Sequence, residues 1–126
     1  MEVVSNICMF YKFLNKIIGN KISKLHPIAM KYLNNDMENN LGDFTTERLK
    51  VFRNYTLLYK HFENDQKRLY MINSNYLEFL KVIIFLYQTS QISVSAGILT
   101  APSEIYRTIN TVQKSFEEAT NSLNLK

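Results

Sequence analysis

Apolar residues near the end of the chain recur at alternating steps of four and three. We call this set the C-terminal seam; its members are Ile105, Ile109, Val112, Phe116, Ala119 and Leu123. This spacing is the heptad pattern of a helix that packs against a single partner helix. The stripe is about 80° wide, narrower than the arc of about 100° or more that core-facing helices usually present. We therefore expect a C-terminal helix that contacts another helix, inside the domain or on a second copy. The candidate protein-interface residues are Ile105, Ile109, Val112, Phe116 and Leu123.

Two helical segments are expected in the first third of the chain. The first covers residues 3–24, and its apolar face consists of Val3, Ile7, Phe10, Leu14, Ile17 and Ile18. Pro27 is expected to end this helix, because the residue before a proline is pushed out of helical geometry. A weaker segment follows over residues 28–37. The acidic, Asn-rich residues 34–42 are typical of a loop.

Two more helices are expected in the middle of the chain. The third begins at good capping residues within 43–46 and runs to residue 64, and its pattern also allows a continuation to residue 72. The fourth begins near Asn75 and is apolar around nearly its whole circumference over residues 75–88. A helix with such a pattern is either the buried centre of a bundle or a membrane span.

Length and composition favour one helical domain. The chain has 126 residues, which is enough to bury a substantial core without a metal or a disulfide. It contains only three Gly and two Pro, whereas a β-sandwich needs many turns. The sequence therefore predicts an all-α, single-domain bundle of four to five helices over residues 1–126, with a largely buried apolar helix near residues 75–88.

A basic row in the predicted third helix suggests an alternative function. Arg53, Lys60 and Lys67 are seven residues apart, and Lys50 and His61 flank them. On one continuous helix these cations would share a face and could follow a phosphate backbone. An ordinary solvated face produces the same pattern and is the favoured interpretation. The alternative is a small basic nucleic-acid-binding protein that uses Lys50, Arg53, Lys60 and Lys67, although a net charge of +4 is modest for that class.

An uncharged stretch suggests a second alternative. Residues 82–103 contain no charged side chain and are long enough to cross a bilayer. Their middle, however, carries several polar residues, including Gln88 and Gln91, and such groups are costly in hydrocarbon. A membrane-associated protein is therefore the second alternative, and a buried helix followed by a small-residue segment is favoured.

The residues that usually carry chemistry are sparse. Cys8 is the single cysteine, and His26 and His61 are the two histidines, 35 positions apart. The chain lacks the short motifs of metalloproteases, serine hydrolases, P-loop proteins and dinucleotide-binding domains. We therefore expect no catalysis, metal, cofactor or small-molecule substrate. One cysteine also fits a reducing, intracellular compartment, cytoplasmic by default.

Taken with the seam, these observations favour a non-catalytic interaction protein. Such a protein would act as an adaptor, a regulator or an assembly subunit through helix-mediated contacts with a partner protein or a second copy of itself.

Overall fold

Four helices make up the computed structural model, which describes residues 2–38, 43–96 and 103–125. The helices are α1 (Glu2–Glu38), α2 (Asp43–Phe62), α3 (Gln66–Ala96) and α4 (Ser103–Ser122). The described residues contain no strand, and the four helices pack on one another. The all-α bundle expected from the sequence is confirmed at this level.

Helix α1 continues through the proline that was expected to end it. Pro27 lies inside a helix of 37 residues, so the predicted break and the separate segment over residues 28–37 were wrong. The loop predicted over residues 34–42 was wrong for 34–38, which are helical, and its remainder lies outside the described residues. A proline removes one helical hydrogen bond and costs about 3 kcal/mol or more. Here Ile22 and Ala29 are both buried on either side of Pro27. We attribute the continuity of the helix to this burial, which offsets the lost bond.

The boundary between α2 and α3 also differs from the expectation. Helix α2 ends at Phe62, and α3 begins at Gln66 rather than near Asn75. The Asp65 side chain explains the early start, because its Oδ1 accepts a hydrogen bond from the backbone N–H of Arg68 at 3.2 Å. This is the bond of an N-cap residue, which satisfies one of the free donors in the first turn. Helix α2 therefore does not continue to residue 72.

Contacts between α1 and α3 show that these two helices run parallel. The Tyr11 ring meets the Tyr70 ring near one end, and the Tyr32 ring stacks on the Tyr87 ring near the other. Residue numbers thus increase together along the pair. The long α1–α3 contact is one of the principal packing surfaces of the bundle.

Helix α2 runs opposite to α3 and in the same direction as α4. Phe52 contacts Phe79, whereas the later residue Tyr55 contacts the earlier residue Asn73. Against α4, Arg48 lies over the Tyr106 ring and Tyr55 lies beside Phe116. Consecutive helices therefore alternate in direction. Helix α3 contacts each of the other three, and among the described ranges no contact joins α1 to α4.

The middle of α3 supplies the centre of the core. Tyr76, Phe79, Leu80 and Ile83 are completely buried against the other helices. The burial does not extend around the whole helix, because the Phe85 side chain on the outer side is 48% exposed. This segment is therefore apolar all round, but one side of the helix faces solvent.

Shortening a buried side chain of α3 tests this description of the core. Leu80→Ala or Ile83→Ala should each lower the free energy of unfolding by about 2–5 kcal/mol, because each leaves a cavity among packed side chains. Lys81→Ala, at the exposed position between them, is the matched control and should change it by less than about 0.5 kcal/mol. Chemical denaturation measures all three. Losses below about 0.5 kcal/mol for both core variants would contradict the central place of α3.

Candidate functional site

The C-terminal seam is packed in the interior of the helical bundle. Ile109 is completely buried and Phe116 is 2% exposed, and Ile105 and Val112 are also buried. Leu123 is partly buried against the same core. These side chains pack against α2 and α3. The seam therefore makes a contact within the chain, which is one of the two alternatives that the sequence left open. Its use as an interface with another protein stays a prediction, and most of its side chains are already covered by α2 and α3.

Two seam residues, Phe116 and Ala119, line a pocket at the surface of the bundle. A cavity of about 270 Å³ opens between α2, α3 and α4, and we call it the Phe116 pocket. It is lined by Leu58, Phe62, Arg68, Met71, Ile72, Asn75, Ser115, Phe116 and Ala119. Six of these nine residues are apolar. Leu58 and Phe116 are buried at the pocket wall, while the Met71 side chain is exposed at its edge. A pocket of this size and lining suits an apolar side chain.

The basic row predicted from the sequence is divided between two helices. Arg53 and Lys60 both lie exposed on α2, but Lys67 lies on α3, beyond the turn that ends α2. Lys50 forms an ion pair with Glu47 at 2.9 Å. The hydrogen bond to Glu47 raises the pKa of Lys50. The assumption of one continuous helical face for these cations was therefore wrong, because α2 ends before Lys67.

The uncharged stretch is described only in part. The side chains of residues 89–103, and the whole of residues 97–102, lie outside the described residues. By length and composition, the segment Gln66–Gln88 is long and apolar enough to cross a bilayer. Of its apolar 18-residue stretch, 44% is buried inside the bundle. The buried core helix of a soluble protein passes the same test.

Hydrogen bonds between buried and partly buried polar side chains join α1, α2 and α3, and the sequence patterns did not predict them. The Asn15 amide donates to the Gln66 side chain at 2.9 Å and to the Gln66 backbone carbonyl at 3.0 Å. The Asn73 amide donates to Asn15 Oδ1 at 3.3 Å, and the Tyr55 hydroxyl donates to Asn73 Oδ1 at 2.7 Å. Polar residues among apolar ones on a helix were the signal in the sequence that could have indicated these bonds. A polar side chain that is buried needs hydrogen-bond partners.

A separate hydrogen bond, between His26 and Tyr76, lies at the base of a groove between α1 and α2. His26 Nδ1 is 2.7 Å from the Tyr76 hydroxyl, and the Tyr76 ring stacks on the Tyr55 ring with centroids 3.7 Å apart. Burial lowers the pKa of His26 and raises the pKa values of both tyrosines. A neutral imidazole with its proton on Nε2 accepts a hydrogen bond at Nδ1 from the Tyr76 hydroxyl. The groove above this pair has a volume of about 650 Å³.

The N-terminal half of α1 presents large apolar side chains to solvent. We define the α1 outer face as Met9, Phe10, Phe13 and Ile17, which are 66%, 57%, 61% and 37% exposed. The apolar face predicted for this helix included Ile7, Phe10 and Ile17, and the prediction was wrong for all three, because Ile7 is also exposed, at 51%. The buried side of α1 instead contains Asn15 and Ile22, so the helix is rotated relative to the expectation.

Metal-ligating residues do not cluster in the part of the chain that the structure describes. No group of three or more His, Cys, Asp or Glu there could hold a metal ion. Cys8 is exposed on α1.

Comparison with known protein families, curated proteins and solved structures finds no match to this chain.

The partly buried His26 makes stability depend on pH. The pKa of His26 lies below its ordinary value of 6.5 in the folded protein, so the unfolded chain binds more protons as the pH falls through 6.5. The free energy of unfolding should consequently decrease between about pH 7.5 and about pH 5.5. His26→Asn should reduce this decrease, whereas the matched change at the exposed histidine, His61→Asn, should leave it in place. Denaturant titrations at both pH values measure the difference, and equal decreases in wild type and His26→Asn would contradict it.

Proposed function

We propose that this protein is a non-catalytic interaction protein, an adaptor, a regulator or an assembly subunit, that binds a helix of a partner protein at the Phe116 pocket. The observation that carries this proposal is the pocket itself. It is an apolar depression that opens to solvent where three helices meet, and the exposed side chain of Met71 lies at its edge.

The shape of the pocket supports a helical partner. Amphipathic helices bind by inserting a few apolar side chains into a hydrophobic groove. Binding energy at such contacts is concentrated in anchors that fill a well-packed pocket. With about 270 Å³ of space, the Phe116 pocket suits one anchor such as leucine or phenylalanine. This retains the helix-mediated contact expected from the sequence but assigns it to one end of the seam.

Charge around the pocket supports an acidic partner. Arg68 is the one charged side chain among the nine that line the pocket. Arg68 lies at the opening with its guanidinium 5.3 Å from the centre of the Phe62 ring. It is 3.6 Å from Asp65, but both side chains are largely exposed, and a guanidinium can pair with a second carboxylate. The expected partner helix therefore carries Asp or Glu beside its apolar anchor.

A displayed library of helical peptides, selected on the folded protein, tests this proposal. The selected peptides should combine one large apolar anchor with acidic neighbours. Ser115→Trp should lower their affinity more than about tenfold, because the added ring occupies an opening where the anchor would bind. Ser115 is exposed, so this change should leave the core intact.

Asn110→Trp is the matched control, since Asn110 is exposed on the opposite side of α4. It should bind the selected peptides as wild type does. Equal affinity of wild type and Ser115→Trp, or a selection that yields no binder, would refute the pocket as the contact site. Self-association of the wild type that Ser115→Trp abolishes would refute a separate partner and identify a second copy instead.

A further inference from the structure

We propose that α1 lies along the surface of an anionic membrane, with the α1 outer face inserted among the lipid headgroups. This inference goes beyond the protein contact at the Phe116 pocket, because it uses a different helix and a different class of partner. It rests on the exposure of the α1 outer face, the arrangement of lysines around it, and the shape of the surface.

Four large apolar residues on one face of α1 are exposed to solvent. Met9, Phe10 and Phe13 each leave more than half of the side chain accessible, and Ile17 leaves 37%. Single exposed apolar residues are common on soluble proteins. A contiguous group of this size, however, marks a surface that contacts something else.

Lysines lie on both edges of this apolar face. At 100° per residue, the α1 outer face covers an arc of about 100°. Lys12 and Lys16 follow on one side of this arc, and Lys21 lies on the other. All three lysines are exposed. An apolar stripe with lysines on both edges is the arrangement of helices that lie in a membrane interface, where the lysine stems extend toward the phosphates.

Helix α1 is positively charged along most of its length. Between Glu2 and Asp36 the sequence carries five lysines and no acidic residue. Anionic lipids attract basic segments of this kind, and the attraction falls with ionic strength. The charge is therefore complementary to a negative surface over most of the length of the helix.

The shape of this surface favours lipid over a protein groove or a second copy. The α1 outer face is the convex side of one helix, and α1 makes its contacts with α3 and α2 on other sides. Pairing two copies of α1 along this face would bring lysines against lysines, which is unfavourable. A flat anionic surface can instead accept the apolar stripe and the lysines on both edges at the same time.

A tryptophan reporter tests the proposed contact directly. The chain contains no tryptophan, so Phe13→Trp introduces a single tryptophan, on the α1 outer face, whose emission can be followed. Vesicles of phosphatidylcholine in which about a third of the lipid is phosphatidylserine should shift its emission to the blue, because the ring leaves water. Vesicles of phosphatidylcholine alone should produce a smaller shift, and added salt should reduce binding to the anionic vesicles.

Vesicle sedimentation with matched variants separates the apolar and the basic contributions. Phe10→Ser combined with Phe13→Ser should weaken binding at least about tenfold, whereas Phe85→Ser, which removes an exposed phenylalanine from α3, should not. Lys12→Gln combined with Lys21→Gln should also weaken binding, and the same double change at Lys60 and Lys114 should have a smaller effect. Circular dichroism establishes that each variant is folded.

Three results would overturn the proposal. One is a wild-type protein that does not sediment with anionic vesicles. Another is retained binding by the folded variant that lacks both phenylalanines. The third is unchanged Phe13→Trp emission in the presence of vesicles to which the protein binds, which would place the contact on another face. Loss of self-association in the Phe10 and Phe13 variant, without any lipid binding by wild type, would identify a second copy as the occupant.

Discussion

All four helices meet at the side chain of Tyr76. This residue is completely buried in α3, and its hydroxyl bonds to His26 of α1. The Tyr55 ring of α2 stacks on its ring, and the Phe116 ring of α4 lies 6.5 Å away. A buried tyrosine contributes a large apolar area, but its hydroxyl must find a hydrogen-bond partner. The position of His26 satisfies that requirement and therefore constrains how α1 can pack.

This constraint fixes the rotation of α1 about its own axis. When His26 faces Tyr76, the residues seven positions apart on the same side, Asn15, Ile22 and Ala29, also face inward. The hydrogen bonds of Asn15 to Gln66 and Asn73 reinforce the same orientation. The other side of the helix must then face solvent. The exposure of the α1 outer face is thus a consequence of polar contacts in the core, and burying that face would break them.

The sequence was sufficient to predict those helices whose apolar residues lie on one side of the helix or in one continuous run. The spacing of the C-terminal seam predicted α4, and the continuous apolar run predicted a helix within α3. The rotation of α1 could not be predicted in this way, because apolar residues surround that helix and periodicity alone does not choose between its faces. The choice depends on Asn15 and His26, whose partners Gln66, Asn73 and Tyr76 lie about 50 or more residues away. The Phe116 pocket depends likewise on the packing of three helices.

The two proposed surfaces are separated by the central helix. The Phe116 pocket lies between α2, α3 and α4, the α1 outer face belongs to α1, and α1 does not contact α4 within the described ranges. Substitutions at sites that share no contacts usually have additive effects. A protein contact at the pocket and a lipid contact on α1 could therefore coexist on one molecule without competing for a residue. That separation is what an adaptor needs, because each partner can bind while the other remains bound.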